Sequence, residues 1–306
     1  MRVLVVCNSA AGKGRGPRII AGTLSVLAAA GHSTTRLDVD RADPAGFLAR
    51  LHDATKAHDL CIIAGGDGTV HFSLPALLHT SCALYHFPLG TENLFSREFA
   101  MRARADALLA ALRRDRRIDI DIGTLTRENA PPRHFAIMCS VGPDAGVIHT
   151  LSAGRTGAIS HLSYTMPVLR ELTRPRVASL TVNVDDKPLV VARTGMLVIA
   201  NMRQYALRID HAHRASACDG LLDVVFMPAS TGIDALLWTL RSRLRERHDA
   251  DGSIYATGTR VYVTSDDARS VYQIDGEPGG HASQGALTFG LLPRALTVLD
   301  AREHTP

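Results

Sequence analysis

The chain has few cysteines, no closely spaced metal ligands and no long apolar run. Its five cysteines are scattered and form no C-x-x-C pair, so we expect reduced core residues rather than a disulfide framework. No H-E-x-x-H spacing occurs, and we expect His211 and His213 to lie in a solvated loop rather than in a zinc site. No stretch reaches the roughly 20 apolar residues of a membrane-spanning helix, and the N-terminal apolar stretch is too short for a signal peptide. We therefore expect a cytoplasmic protein, and peripheral contact with the inner face of a membrane stays open.

The chain also lacks a strong charge of either sign. Its formal net charge is +4 over 306 residues, and the arginines are spread out. This balance favours an anionic partner, for which ATP or an anionic membrane surface is sufficient, and we expect no nucleic-acid partner. The chain is 46% hydrophobic and has no internal repeat or low-complexity tract, which excludes a disordered chain and predicts one large domain or two.

Residues 1–125 alternate apolar runs with amphipathic segments. The predicted strands are Arg2–Cys7, Thr34–Val39, Leu60–Ala64 and Ala83–Leu89. The predicted helices are Pro17–Ala30, Pro44–Lys56, Val70–His79 and Ala103–Arg113. Alternation of this kind predicts a Rossmann-like α/β domain with a mostly parallel sheet, whose ligands lie beyond the carboxyl ends of the strands.

Residues 126–290 are predicted to form a second, antiparallel β-rich domain, which the chain enters through the strand Ile118–Leu125. The other predicted strands are Phe135–Ser140, Val177–Val184, Leu189–Ala200, Leu221–Met227, Arg260–Thr264 and Val271–Ile274. Helical insertions are predicted at Ile159–Thr173 and Gly232–Arg247. The last runs, Ala286–Phe289 and Leu296–Leu299, complete this domain or return to the first, so the place of residues 291–306 stays open.

The segment Leu60–Thr69 is an apolar run that ends in three glycines around one aspartate. Because Gly65, Gly66 and Gly68 have no Cβ, they let backbone N–H groups approach a ligand closely, and a following helix would aim its positive end there. This arrangement predicts a phosphate cradle. Asp67 would repel phosphate unless a divalent cation or a proton-transfer role answers its charge. The alternative is an ordinary strand-to-helix turn.

Two further glycine-containing loops follow predicted strands. Asn8–Gly14 offers small residues and one lysine, but it has neither the Walker spacing nor the dinucleotide fingerprint. In Gly90–Asn93, Thr91 and Asn93 are suited to hydrogen-bond phosphate or ribose oxygens, or to cap the next helix. Because all three loops follow strands of one sheet, we expect them to converge on one crevice.

Taken together, these loops and two later motifs resemble the diacylglycerol kinase catalytic-domain family, which includes sphingosine and ceramide kinases. The matching segments are Asn8–Gly12, Gly65–Thr69, Gly90–Asn93, Cys218–Asp223 and Asp275–Glu277. The resemblance covers nearly the whole chain, and the Gly65–Thr69 motif is shared with NAD kinases. It implies an N-terminal α/β domain, a C-terminal β-sandwich, ATP bound in a cleft, Mg²⁺, and transfer of the γ-phosphate to a lipid hydroxyl at a membrane surface.

The resemblance also implies roles for individual residues. The nucleotide is expected to contact Asn8, Gly12, Gly65, Gly66, Asp67, Gly68, Thr69, Val70, His71, Thr91 and Asn93. Glu277 corresponds to the proton acceptor and Asp67 to a carboxylate linked to the catalytic metal. A further magnesium site corresponds to Ser216, Asp219 and Leu221, partly through backbone carbonyls.

The chemistry of the residues agrees with this reading, although other readings stay open. A primary alcohol is a poor nucleophile, so a carboxylate such as Glu277 would help to remove its proton. Alternatively, Asp275-Gly276-Glu277 is only a type I′ hairpin turn. An NAD kinase and a non-catalytic nucleotide or lipid sensor are the competing functions, and the oligomeric state, including a homodimer, stays open.

Two segments bear on the lipid. Many relatives carry a glycine run and a proline before the Asp219-Gly220 motif, whereas residues 202–213 here include Tyr205, Arg208, His211 and His213. These favour a different or more anionic lipid, or else form a solvated loop. The helix predicted at Gly232–Arg247 is apolar with a basic tail, so it lies in a membrane interface or packs on the domain core.

Overall fold

The structure is a computed structural model that describes residues 1–9, 11, 16–153, 165–244 and 252–303. The chain forms two compact units. Unit 1 comprises Met1–Ile120 together with the C-terminal residues from Arg294, and unit 2 comprises Asp121–Pro293.

Unit 1 alternates strands and helices, as the sequence predicts. Its elements are β1 (Arg2–Cys7), α1 (Gly16–Ala29), β2 (Ser33–Asp38), α2 (Pro44–Thr55), β3 (Leu60–Gly65), α3 (Asp67–Leu77), β4 (Ala83–Pro88), α4 (Leu94–Glu98) and α5 (Ala105–Arg114). All four predicted strands and all four predicted helices are present, and their ends differ by at most three residues. The short helix α4 was not predicted.

The sheet of unit 1 is parallel, with β2, β1, β3 and β4 side by side in that order. All residues of β3 are buried, as are all but the first residue of β1, which is typical of strands covered on both faces. Helix α2 begins where Asp43 accepts a hydrogen bond from Gly46 N and Pro44 occupies the first turn. Helix α1 ends before Gly31, whose φ of +81° favours glycine.

Unit 2 is entered through β5 (Arg117–Arg127) and is mostly β-structure. Its elements continue with β6 (Ala130–Phe135), β7 (Met138–Val141), α6 (Pro143–Ala153), α7 (Thr165–Thr173), β8 (Ala178–Val184), β9 (Lys187–Ala200), β10 (Leu222–Pro228), α8 (Gly232–Leu244), β11 (Ile254–Gly258), β12 (Val261–Thr264), β13 (Val271–Ile274), β14 (Glu277–His281) and β15 (Leu287–Leu299). Residues 159–164 and 245–247 of the two predicted helical insertions lie outside the described residues.

The strand pairs of unit 2 are antiparallel, in the order β14-β13-β7-β9-β8-β12-β15, and β10 pairs with β9 and β11. Strand β6 pairs with β5. The inward side chains form one apolar core that includes Phe135, Leu197, Phe226 and Phe289. The alternation of buried and half-buried residues along β8 is the expected period of two.

One expectation for unit 2 was wrong in detail, and the place of the terminal runs, which the sequence left open, is decided by the structure. Phe135–Ser140 is not one strand, because the chain bends at Ala136 and Ile137 between β6 and β7. The two terminal runs form one strand, β15, which begins in unit 2 and continues into unit 1, where Val298 pairs with Leu84 of β4. Helix α6 and strand β11 were not predicted. No helix among the described residues is long and apolar enough to span a bilayer.

Candidate functional site

In unit 1, the loops after β1, β3 and β4 lie next to one another. The side chain of Asn8 donates to the hydroxyl of Thr69 at 2.9 Å, and Asn8 N donates to Ala64 O at 3.1 Å. On the other side, Leu89 N donates to Gly65 O at 2.7 Å. The three loops that the sequence predicts to converge therefore do so within unit 1, as far as their residues are described. Gly12, Lys13 and Gly14 lie outside that part of the chain.

Gly66 and Gly90 approach each other without room for a side chain. A Cβ placed on Gly90 would lie 2.8 Å from Gly66 Cα and 2.8 Å from the Asn93 side-chain oxygen. Asn93 closes this loop on itself, because its side chain accepts from Gly90 N at 2.9 Å and donates to Gly90 O at 2.8 Å. The two glycines therefore let the loops after β3 and β4 pack backbone against backbone at the carboxyl ends of these strands.

Asp67 is the first residue of α3 and also caps a second helix. Its two carboxylate oxygens accept hydrogen bonds from Leu94 N at 2.8 Å and from Phe95 N at 3.1 Å, in the first turn of α4. These contacts explain why the short helix α4 forms after Asn93, whose φ is +50°. A carboxylate accepts up to about four bonds, so the two backbone contacts do not exclude a metal ion.

His86 of β4 is buried and contacts the backbone of Gly65, at the end of β3. Its Nε2 lies 3.0 Å from Gly65 O, which assigns the proton to Nε2. Burial lowers the pKa of His86, and this effect outweighs the neighbouring Asp67 charge and the hydrogen bond to Gly65, both of which raise it. His86 is therefore neutral, and it positions the glycine loop without adding charge to it. This residue was not predicted from the sequence, because a single histidine in an apolar strand carries no distinctive signal.

The expected nucleotide-binding residues differ in exposure. Thr69 and Val70 are buried, and their backbone N–H groups donate to Gly66 O at 2.8 Å and 3.3 Å. Gly66, Asp67, Gly68, His71 and Asn93 are half-buried, and Thr91 is exposed. The carbonyl of Gly68 accepts from Arg41 at 3.2 Å, which places a guanidinium at the first turn of α3.

In unit 2, Asp275 and Gly276 form the two-residue turn between β13 and β14. Their φ values are +48° and +81°, and Ile274 pairs with Glu277, as in a type I′ hairpin. The buried carboxylate of Asp275 also accepts hydrogen bonds from Ala136 N at 2.8 Å and from Ile137 N at 2.9 Å, together with one from Met138 N at 3.0 Å. Asp275 is thus a structural residue that holds the bend between β6 and β7.

Glu277 is the first residue of β14 and is half-buried. Near the base of the same hairpin lies a buried polar network that was not predicted from the sequence. Gln273 donates to the Ser140 hydroxyl at 2.8 Å and accepts from Gly276 N at 2.8 Å, which fixes the turn before Glu277. Asp144 accepts from Tyr205 at 2.5 Å, and burial raises the pKa of its carboxyl group.

The residues expected to bind a further magnesium ion lie in one loop of unit 2. Ser216 and Asp219 are exposed and Leu221 is half-buried. Asp219 accepts from Leu221 N at 3.0 Å, and buried Asp121 accepts from Gly220 N at 2.8 Å. Hydroxyl, carboxylate and carbonyl oxygens are the ligands that Mg²⁺ prefers, so the donor set fits the ion. Among the described residues, no three His, Cys, Asp or Glu side chains form a metal cluster, so such a site would depend on carbonyls and water.

Residues 202–213 fold inwards at two points. Tyr205 reaches Asp144, and its ring packs edge-on against His211 with centroids 4.9 Å apart. His211 is buried, with Nδ1 2.8 Å from the Ser242 hydroxyl, so the expectation that it is solvated was wrong. Arg208 and His213 are exposed.

Two protein-family models together match most of the chain. The family model of the diacylglycerol kinase catalytic domain matches residues 2–125, and that of the YegS C-terminal NAD kinase beta sandwich-like domain matches residues 138–300. An uncharacterized protein of Synechocystis sp. is 20% identical over 269 residues, which cover 85% of this chain and 60% of that protein. The chain therefore spans less than two thirds of this relative's length.

Comparison with solved structures shows the fold. A candidate diacylglycerol kinase of Bacillus anthracis str. Sterne has a TM-score of 0.74 and 19% identity, with coverage of 98% of this chain and 95% of that chain. Yeast NADH kinase in complex with NADH has a TM-score of 0.55 and 8% identity, with coverage of 97% and 83%. The expected fold class is confirmed: an N-terminal α/β domain is followed by a β-sandwich of the NAD kinase type.

Proposed function

We propose that this chain, which belongs to the diacylglycerol kinase catalytic-domain family, transfers the γ-phosphate of ATP to the hydroxyl group of a diacylglycerol-like lipid and requires Mg²⁺. The observation that carries the proposal is the close approach of Gly66 and Gly90 at the carboxyl ends of β3 and β4. This packing brings both loops to the N-terminus of α3, whose backbone N–H groups are suited to bind a polyphosphate chain.

The hydrogen bonds of unit 1 support the roles that we propose for its residues. Backbone N–H groups of the glycine loops and the N-terminus of α3 would bind the phosphates. Asp67 is held in place by Leu94 N and Phe95 N, so it would present a fixed carboxylate to a metal ion. A bound Mg²⁺ would supply positive charge that stabilises the phosphoryl group during transfer.

The roles in unit 2 depend on the β13–β14 hairpin. Glu277 would accept the proton of the lipid hydroxyl, and its position after a turn fixed by Asp275 and Gln273 limits its freedom. A correctly placed general base contributes typically 10²–10⁴-fold to a rate. The oxygens of Ser216, Asp219 and Leu221 would bind a further Mg²⁺. A diacylglycerol-like acceptor is favoured because the family is a diacylglycerol kinase family.

The experiment that tests the proposal is a substrate panel. Purified protein with γ-labelled ATP and Mg²⁺ is given diacylglycerol, sphingosine, ceramide or NAD, and labelled products are separated. We expect a labelled phospholipid and no NADP. Formation of NADP alone would favour an NAD kinase, and ATP binding without any product would favour a sensor; either result would contradict the proposal.

A substitution of Glu277 tests its proposed role as the general base. Glu277→Gln keeps the size of the side chain but removes the base, so we expect turnover to fall about 10²-fold or more while ATP binding persists. Glu128→Gln is the matched control, because Glu128 is exposed in the turn between β5 and β6. Equal activity of the two variants would contradict the role of Glu277.

A further inference from the structure

Unit 2 contains an open cavity that the proposed reaction does not use. Its volume is about 1090 Å³, which is the size of a small-molecule site. The cavity is bounded by Arg170, Arg174, Arg176, Arg269, His149 and His281, and we call it the arginine cavity. His281 ends β14, four residues beyond Glu277 and therefore about 13 Å along the strand. The cavity is thus separate from the proposed base.

The charge of the arginine cavity is positive. Among the described residues that line it, Asp267 is the one acidic residue, and it forms an ion pair with Arg269 at 2.7 Å. Arg176 is held at the wall by the carbonyl of Gly146 at 2.9 Å and by Glu171 at 3.5 Å. Arg170 and Arg174 also line the cavity, so its wall carries more positive than negative side chains. Arginines gathered in a concave wall are suited to a phosphate group, which they bind through paired N–H donors.

His149 lies in the wall of the same cavity. Its Nε2 lies 2.9 Å from Tyr272 O. Burial lowers the pKa of His149, the hydrogen bond to Tyr272 raises it, and the charges of Arg176 and His281 lower it further. The Arg176 charge beside His149 agrees with the positive charge of this wall.

An exposed apolar surface lies beside the cavity. Helices α7 and α8 pack together, and a Cβ on Gly232 would lie 2.4 Å from Leu172 O. Their outward side chains are between 46% and 71% exposed, and we call them the apolar face: Met166, Leu169, Ile233, Leu236, Leu237 and Leu240. In α8 they follow helical spacing, although the opposite side of the helix is already buried through Trp238. An apolar stripe of this kind marks an interaction surface.

Arg170 links the apolar face to the arginine cavity. It follows Leu169 and stands four residues after Met166 on α7, so all three share one side of that helix. Further cations, Arg241 and Arg243, lie in the last turn of α8. A second copy of the chain would bring these like charges together, whereas an anionic bilayer would complement them.

We propose that the arginine cavity binds the phosphate group of an anionic membrane phospholipid while the apolar face rests against the acyl region beside it. This site recognises a phosphate that is already esterified, so it differs from the site of the lipid hydroxyl. The proposal does not depend on phosphoryl transfer, because binding to a bilayer requires neither ATP nor Glu277.

The test is co-sedimentation with vesicles in the absence of ATP. We expect the protein to bind vesicles of phosphatidylcholine mixed with phosphatidic acid, and to bind phosphatidylcholine alone much more weakly. Each cation near a bilayer strengthens binding several-fold, so the double variant Arg170→Gln with Arg174→Gln should bind about tenfold more weakly. The control pair, Arg113→Gln with Lys187→Gln, removes two exposed cations elsewhere and should change binding by less than about twofold.

A second arm separates the lipid from a soluble phosphate. Glycerol 3-phosphate is titrated against the protein while the ring resonances of His149 and His281 are followed by NMR, and Leu236→Ser with Leu240→Ser is tested on vesicles. We expect weak binding of glycerol 3-phosphate at the cavity and at least fivefold weaker vesicle binding by the serine variant, with Trp238 emission unchanged. Equal vesicle binding by the arginine double variant and the control pair would overturn the proposal. Tight binding of glycerol 3-phosphate with no effect of the serine substitutions would overturn the assignment to a lipid.

Discussion

The substitution Asp275→Asn separates the structural part of the Asp275-Gly276-Glu277 motif from its proposed catalytic part. Asparagine tolerates the φ of +48° at this position, so the turn itself survives. In its best orientation the amide oxygen still accepts from Ile137 N and Met138 N, but the amide NH₂ then faces Ala136 N, which now bonds to Asp275 at 2.8 Å. One charged hydrogen bond is lost and a buried donor is left without an acceptor. We expect the free energy of unfolding of unit 2 to fall by about 2–4 kcal/mol.

The assay uses the one tryptophan of the chain. Trp238 is buried in α8 of unit 2 and donates to Pro228 O at 2.7 Å, so its fluorescence follows the unfolding of that unit in urea. The matched control is Asp186→Asn. Asp186 also occupies a positive-φ turn, between β8 and β9, but its exposed carboxylate pairs with exposed Arg260, and we expect a change below about 0.5 kcal/mol. Equal destabilisation by the two substitutions would refute the structural role assigned to Asp275.

Two further predictions concern unit 1. Gly90→Ala would place a Cβ 2.8 Å from Gly66 Cα, so we expect the free energy of unfolding to fall by about 1–3 kcal/mol. The control Gly22→Ala, in α1, meets nothing within 4 Å and should raise the free energy of unfolding by about 0.5–1 kcal/mol. Calorimetric melting temperatures that shift in the same direction for both variants would contradict the close approach. Because burial lowers the pKa of His86, its contribution to stability is complete above the unfolded value of 6.5 and is lost as the pH falls towards the folded pKa. Between about pH 7.5 and about pH 5.5 the wild type should therefore lose more stability than His86→Gln, by up to about 1.4 kcal/mol per pH unit; identical pH profiles would show that His86 is not the group concerned.

Local sequence predicted unit 1 well because its signals are local. Strand β1 was predicted residue for residue, and Pro44 and Gly31 mark helix ends through their own backbone preferences. Helix α4 was missed because its five residues carry no periodic pattern, and its cap is Asp67, which lies far back in the sequence.

The errors in unit 2 have the same physical cause. The bend between β6 and β7 depends on Asp275, whose carboxylate takes the N–H groups of Ala136 and Ile137 well over a hundred residues away. No local pattern in Phe135–Ser140 reveals that its ladder is interrupted. In the same way, β15 was predicted as two runs because Pro293 and Arg294 interrupt its apolar pattern, whereas the strand continues past them even though Arg294 has a φ of +50°.

The candidate site was predictable to the extent that its motifs are contiguous. The motifs Gly65–Thr69 and Gly90–Asn93 predict loops from local sequence alone. The parallel arrangement of β1, β3 and β4 explains why the loops that follow these strands converge. His86, Asp144 and Tyr205 were missed because their roles come from burial and from partners that only the folded chain provides. The arginine cavity was missed for the same reason, since its arginines are dispersed along the sequence.

The most direct test of the central claim is mass spectrometry of a lipid extract incubated with ATP, Mg²⁺ and either the wild-type protein or Glu277→Gln. We predict that the wild type converts a hydroxyl-bearing lipid into its phosphomonoester and that Glu277→Gln reduces this product about 10²-fold or more while it remains folded by Trp238 fluorescence. An extract left unchanged by the wild type, or the same phosphorylated lipid in equal yield from both proteins, would contradict the account.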